Sequence, residues 1–594
     1  MDIYRAIHGP DIRCRSWPLL AQILLKSQPP IDIDKATVHQ LHEREPVKFF
    51  PRRAIEDIFD PTDGSISPLE EILKCDCSTC ERCETPKGSE MAELIRRIKK
   101  RHDGLKILFA ILIYIGHGYL IKHLGPIGRV SDSSLDSVTS HLQQEENLRT
   151  SQKILASDDL NPFCKMYDTA KDLFQPPTFD LGGPTSPYGG SYRMPFLRDE
   201  VHAQGASGEV RKFNIHEDFL SQAIKDQEWY RDPANEFKFA RKILTKQTTY
   251  ELDWQVEREN LAVFTGERHC NIVQALCFYQ WRGQINFVFP FIDGTLEKLL
   301  TGQRFGLRSD LLETADPPHH WLWAQMIGVA EGLSVIHNLP TKNIGRNRER
   351  LIGFHFDLKP ANILCTSRGQ LKISDFGLSL LKKVGSSKLS YAGPRGGTPR
   401  YQAPEIFRMY DGTQRTPLRS TDNLDMVKNK CDVWSYACIT LEVLMYISEL
   451  SGAEEVKRFE EVVDSEEPCC AFFGSDSKLK PCVEKALQDI SGSAETGIEQ
   501  RRQNDWATDV TELLRNMFNF NPELRPSSAD VASSLSTLDE NYKNQPKDEL
   551  ELELKNHNRK EYSKERFWII NQHTGTLDVS FIKMSVLAYP LAEE

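Results

Sequence analysis

Between His355 and Leu364 the chain reads HFDLKPANIL, and Asp375-Phe376-Gly377 begins eleven residues after Leu364. Six residues gather a carboxylate, a lysine and an amide: Asp357, Lys359 and Asn362. A second carboxylate, Asp375, arrives after the short apolar hairpin LKIS, eighteen residues beyond Asp357. These are the side chains that phosphoryl transfer asks for. One acid orients a hydroxyl nucleophile, a cation steadies the migrating charge, and oxygen ligands hold magnesium on nucleotide phosphates. An isolated Asp-Phe-Gly is an ordinary turn. The full ten-residue loop with the second acid at this spacing is far more specific.

Other elements have to position these groups. AQGASGEV, from Ala203 to Val210, reads as a strand-flanked glycine turn. Without a Cβ, the backbone amides of Gly205 and Gly208 can approach phosphates. A cation for those phosphates is expected in FKFARKIL, at Lys242, with Lys238 and Lys225 as runners-up. Gly208 and Lys242 are 34 residues apart, so the polar segment Glu217 to Glu236 is expected to be an insertion before the lysine strand. A glutamate that orients the lysine is expected on the next helix, in VERENLAVFTGERHCNIV. Glu259 is the choice, ten residues before His269, and Glu257 competes with it.

In this order the segments resemble the eukaryotic protein kinase family, from about Phe196 to Leu538. The resemblance implies an α+β, bilobal protein kinase fold, with a small β-rich lobe and a large helical lobe. It implies ATP and Mg2+ as cofactors and a protein as substrate. Gly205 and Gly208 occupy two of the three family glycine positions, and Ala203 replaces the first. Phe239 and Ala240 would form part of the adenine roof, Val210 would line the same pocket, and Phe289 would be the gatekeeper, with Pro290 as the carbonyl of the hinge and Ile292 as its amide donor. Asp357, Lys359, Lys242 and Glu259 would be catalytic, and Asn362 and Asp375 would hold the metal. Lys359, two residues after the Asp, is similar to the serine/threonine branch. GTPRYQAPE, Gly397 to Glu405, would end the activation segment. There Thr398 would bond the catalytic Asp and Lys, Glu405 would pair with Arg525, and Asp432 would anchor the loop backbone.

One residue departs from the pattern. Phe356 stands where the family has an arginine that pairs with an activation-loop phosphate. The implied enzyme therefore works without that phosphate, and Ser386, Ser387, Ser390 and Tyr391 are ordinary loop residues. The rival expectation is a pseudokinase that acts as a scaffold, supported by Ala203 and the stretched small lobe. A small-molecule kinase fits less well, because Ala403-Pro404-Glu405 keeps the peptide-platform flank.

The chain of 594 residues has a net charge of −11 and an apolar content of 39%, which fit a globular protein and argue against nucleic-acid binding. The start lacks a compact signal segment. The longest uncharged apolar run, Ile107 to Ile121, is shorter than the roughly 20 residues a membrane span needs, and a buried helix is expected there. Fourteen cysteines without a secretory signal point to reduced thiols and to cytoplasm or nucleus. KCDCSTCERC sets Cys75, Cys77, Cys80 and Cys83 close together; Zn2+ is one expectation, reduced loop cysteines the other. The expected division is a helical regulatory or partner-binding region over 1–170, a linker over 171–195, the catalytic domain over 196–540 and a charged tail over 541–594. Within the catalytic domain, Asn338 to Arg350 and Ser451 to Asn504 read as polar insertions, the second part loop and part short helices. A Cys-containing first region ahead of such a catalytic loop also resembles kinase-like proteins of filamentous fungi.

Overall fold

The computed structural model describes residues 49–60, 89–100, 103–124, 130–144, 160–182, 193–205, 208–231, 236–244, 269–303, 305–312, 317–344, 347–375, 380–383, 397–408, 429–448, 452–468, 470–492 and 498–544, with single positions at 26, 28, 29, 32 and 33. They form an α+β chain: a helical amino-terminal body, a small antiparallel lobe and a large helical lobe.

The small lobe is one sheet in the order β1-β2-β3-β4-β6-β5. Its strands are β1 Asp32–Ile33, β2 Phe196–Gly205, β3 Gly208–Ile215, β4 Phe239–Leu244, β5 Cys277–Trp281 and β6 Gln284–Pro290. Gly205 pairs with Gly208 where β2 turns into β3. Val210 lies opposite Lys242, Ala240 opposite Phe289 and Lys242 opposite Phe287. Directly opposed residues share a face of an antiparallel ladder. These five side chains therefore line the face turned to the large lobe, whose core takes in Phe287.

The opposite face has a core of its own, with Phe196, Phe213, Phe239, Tyr279 and Val288 packed beneath Phe49, Phe179 and Phe219. Charge is buried here too. Arg211 Nε donates to Asp199 Oδ1 at 2.7 Å, Arg241 takes the other oxygen, and Arg211 also reaches Glu209 at 2.6 Å. The Arg241 guanidinium lies 5.0 Å from the Phe196 ring centroid. A single carboxylate thus bridges two cations that would each be costly to bury alone. The expected insertion is a turn at Glu217–Phe219 and short helices at Gln222–Lys225 and Glu228–Arg231. Trp229 and Tyr230 rest on Phe239, so the insertion roofs this outer core.

Among the described residues, the longer helices of the amino-terminal body are α1 Arg52–Phe59, α2 Ser89–Lys99, α3 Lys106–Tyr114 and α4 Leu160–Phe174, with shorter ones at Ile121–Leu124 and Val138–Gln143. Residues Leu108 to Ile113 of α3 are all buried, as expected of a helix that is apolar all round. Among the described residues, no helix is long and apolar enough to cross a membrane. The stretch expected as a linker, 171–195, is tied into the fold at its described ends. Helix α4 runs on to Phe174, whose ring stacks on Phe50 at 4.2 Å, and Phe179 and Met194 are buried in the outer core of the small lobe. Phe174, Phe179 and Met194 thus anchor the described ends of this stretch.

The large lobe contains α5 Leu296–Leu300, α6 Trp321–His337, α7 Lys430–Ser448, α8 Gly452–Ser465, α9 Pro481–Ser491, α10 Ile498–Met517 and α11 Ser528–Asn544. Helix α7 is buried almost end to end and forms the axis of the main core. Strand β7 Gly294–Thr295 pairs with the hairpin of β10 Ile363–Cys365 and β11 Leu371–Ile373. The polar stretch from Asn338 to Arg350 forms most of a hairpin, β8 Leu339–Ile344 and β9 Asn347–Phe354, and β9 also pairs with β12 Leu380–Lys383. Ser451 to Asn504, expected as part loop and part short helices, holds α8 and α9, but it is packed more deeply than its polarity suggests. Val456, Phe459 and Val463 make a buried stripe along α8, and Phe472, Phe473, Val483 and Leu487 complete its packing. The average polarity concealed a one-sided helix. Helix α11 passes the expected start of the tail at 541, with Tyr542 in the core.

Candidate active site

The site is built outward from Asp432, in the first turn of α7. Its buried carboxylate accepts the amides of His355 at 2.7 Å and Phe356 at 2.8 Å, and bonds His337 Nε2 at 2.9 Å. Burial alone would raise its pKa; the bond and charge of His337 and the His355 amide bring it below the ordinary value. This grip holds Phe356 at φ +65°, a left-handed conformation that a bulky residue adopts only when its surroundings impose it. The Phe356 ring stacks on Phe354, with centroids 5.1 Å apart.

Asp357, one residue on, is clamped from three sides. Its Oδ1 accepts the amide of Thr398 at 3.0 Å and the Thr398 hydroxyl at 3.1 Å. Its Oδ2 accepts Asn362 Nδ2 at 3.0 Å and pairs with Lys359 Nζ at 2.9 Å. Lys359 also donates to the Thr398 hydroxyl at 2.8 Å. Because Nδ2 of Asn362 is turned to Asp357, the amide oxygen is the atom left to serve as a hard ligand. Ser374 joins the two loops. Its amide donates to the Asn362 carbonyl at 2.8 Å, and its own carbonyl bonds His355 Nε2 at 2.9 Å. Asp375 follows at φ +59° and meets Lys242 Nζ at 2.9 Å. The structure thus brings together Asp357, Lys359, Asn362, Asp375 and Lys242.

Lys242 is the lysine of the cleft face. Lys225 lies in the insertion, and the carbonyl of Lys238 accepts the Phe291 amide at 3.0 Å. That amide is therefore taken, and Pro290 has no N–H to offer. Val210, Ala240 and Phe289 line the same sheet face as Lys242. The expected place of Phe239 in the adenine roof needs correction: strand alternation turns it to the other face, where it is buried in the outer core. Glu259 and Glu257 lie outside the described residues. So do Phe376, Gly377, Ser386, Ser387, Ser390 and Tyr391, and also Cys75, Cys77, Cys80 and Cys83. Among the described residues, no group of three or more His, Cys, Asp or Glu side chains could hold a metal.

The end of the segment is fixed to the large lobe. Arg525 binds Glu405 through two bonds of 2.8 and 3.1 Å and also donates to the carbonyls of Asn519 and Lys430. Sequence reasoning missed one strut. Asn271, buried in HCNIV, donates to the Leu371 carbonyl at 2.8 Å, while its own carbonyl accepts the amide of Ile373 at 2.8 Å. A Cβ on Gly328 would sit 2.5 Å from Asn271 Oδ1, so that close approach requires glycine. A polar residue amid apolar neighbours was the available signal; the segment had served only to locate Glu259.

The family model described as protein kinase domain matches residues 230–535, more than half of the chain. The chain belongs to the protein kinase family. Among the relatives of this protein kinase is the serine/threonine-protein kinase crk1 of Schizosaccharomyces pombe, 26% identical over 271 residues, covering 44% of this chain and 65% of that protein. Cyclin-dependent kinase 7 of Dictyostelium discoideum is 24% identical over 297 residues, 50% of this chain and 69% of that one. The PR5-like receptor kinase of Arabidopsis thaliana is 31% identical over 195 residues, but the match covers only 23% of that protein. The family as a whole uses ATP and magnesium. The donor set here fits both: a carboxylate and an amide oxygen for the metal, a buried lysine for the phosphates and a glycine hairpin above them.

Proposed function

We propose that the protein transfers the γ-phosphoryl group of ATP to serine or threonine hydroxyls of protein substrates. The observation that carries this reading is the closed triangle of Asp357, Lys359 and Thr398, bonded to the same turn that holds Asn362. Magnesium held by Asn362 and Asp375 would neutralise charge on the phosphates. Asp357 orients the substrate hydroxyl and takes its proton. Lys359 balances charge on the migrating group, and Lys242 fixes the nucleotide. Such catalysis is mostly positioning and electrostatic stabilisation. Phe356 carries no charge for an activation-loop phosphate to meet, so the active arrangement does not wait for one. The amino-terminal body, packed on the outer face of the small lobe, is proposed as a regulatory or partner-binding region.

The test is transfer from radiolabelled ATP with magnesium to a mixed serine/threonine peptide library, using the full chain before and after phosphatase treatment. Incorporation is expected in both preparations. Asp357→Asn and Asp375→Asn are each expected to lose at least about a hundredfold. A wild type no better than Asp375→Asn, with no thermal shift on adding nucleotide, would overturn catalysis and leave the scaffold reading. Activity abolished by phosphatase would overturn the independence from phosphate.

A further inference from the structure

Residues 397–405 form the platform on which a substrate chain would lie, and several side chains pin them to the large lobe. Thr398 holds the catalytic loop, and Glu405 holds Arg525. Tyr401 donates to Glu442 of α7, and its carbonyl accepts the hydroxyl of Ser435 at 2.6 Å. A further pin is Arg400. Its Nη2 binds both oxygens of Asp464, at 2.9 and 2.8 Å, and its Nη1 meets Glu460 at 2.5 Å. Glu460 and Asp464 are four residues apart on α8, so they share one face of the helix. Without the guanidinium, two like charges would stand side by side there. The adjoining face of α8 buries Val456, Phe459 and Val463 in the main core, which makes the helix a rigid support. The Arg400 side chain is 15% exposed. A planar fork meeting two carboxylates gives direction as well as strength.

We infer that Arg400 is a positioning residue: clamped to Glu460 and Asp464, it holds the substrate platform in register with Asp357 and supplies from α8 the order that an activation-loop phosphate would otherwise impose. This deepens the proposed phosphotransfer and rests on it. It assigns no catalytic contact to Arg400, which acts through the segment from Thr398 to Tyr401.

The test compares the full-length wild type with Arg400→Ala, Arg400→Glu and the charge swap Arg400→Glu/Asp464→Arg. The first readout is hydrogen exchange at the amides of Tyr401, Gln402 and Ile406, which bond within the platform. The second is steady-state transfer to the peptide library. Arg400→Ala is expected to speed exchange at those amides and to raise KM for peptide, each on the order of tenfold, with KM for ATP unchanged. Arg400→Glu should be worse, and the swap should restore both readouts. Unchanged exchange in Arg400→Ala would overturn the clamp. So would equal losses for ATP and peptide that the swap fails to rescue, which mark a general loss of structure. The exchange readout is independent of turnover. An inactive wild type with a working clamp would therefore overturn the catalytic reading alone, and an active wild type with unaltered Arg400→Ala would overturn the clamp alone.

Discussion

Thr398 is the residue on which the serine/threonine assignment turns, because one hydroxyl donates to Asp357 and accepts from Lys359. Removing it frees both catalytic side chains to reorient without touching the nucleotide contacts. Thr398→Ala is expected to lower kcat by roughly ten- to a hundredfold, the range of a lost positioning contact, with KM for ATP unchanged. Thr398→Ser should recover most of the rate, and steady-state kinetics on the three proteins would show it. Glu442 makes a separate prediction about stability. Burial, reinforced by nearby Glu460, pushes its carboxyl up to about 8 from an ordinary value of 4.5. The folded state therefore keeps this proton longer than the unfolded chain does. The associated stability is fully present below 4.5 and is lost as pH rises toward about 8. Glu442→Gln keeps a partner for the Tyr401 hydroxyl but does not titrate. Its melting temperature is expected to decline less than that of the wild type over the same interval.

Helix α6 begins at a histidine. His320 Nδ1 accepts the amide of Leu322 at 3.1 Å and so caps the first turn. Burial lowers its pKa to about 4 from 6.5, because a protonated ring could neither stay buried cheaply nor accept that amide. The folded value lies below the unfolded one. The cap's contribution is therefore intact above 6.5 and drains away as pH falls toward 4, by at most about 3 kcal/mol. His320→Asn, a good capping residue that does not titrate, should flatten the acid limb of a denaturation-midpoint curve; an unchanged limb would refute the assignment. At this scale the large lobe was legible in the sequence. Asp357, Lys359, Asn362, Asp375, Thr398, Glu405, Asp432 and Arg525 stand in short linear motifs whose spacing is set by tight turns. The small lobe was less so. Lys242 could be chosen by its strand, but the buried trio of Asp199, Arg211 and Arg241 could not be foreseen. In the sequence each of those charges stands beside another, in Arg198-Asp199-Glu200, Arg211-Lys212 and Arg241-Lys242, like a solvent-facing row, and the core on their side of the sheet takes in Phe49 and Phe179 from far away along the chain. The same blindness hid α8, where a one-sided apolar stripe lay beneath a polar average.

At the scale of the whole molecule, the catalytic lobes and the amino-terminal body share structure. Strand β1 adds to the edge of β2, Arg53 pairs with Glu217 at 3.0 Å, and Phe49 packs on Phe219 with centroids 5.7 Å apart. Expressing the catalytic domain from residue 190 onward would bare that strand edge and the aromatic surface beneath Phe49, two features that promote aggregation. Such a chain is expected to melt well below the full-length protein and to aggregate on heating, as scanning calorimetry with light scattering would reveal. In the full chain, Phe49→Ala should lower stability by about 3–5 kcal/mol, the range for an aromatic ring removed from a core. Phe49 and Phe50 are neighbours, yet one ring belongs to the outer core of the small lobe and the other to the core of the helical body. The peptide unit between them is planar and stiff. Two adjacent residues rooted in different cores act as a rivet between them, and with the Arg53–Glu217 pair and the β1 edge they fasten the helical body to the sheet that carries Lys242.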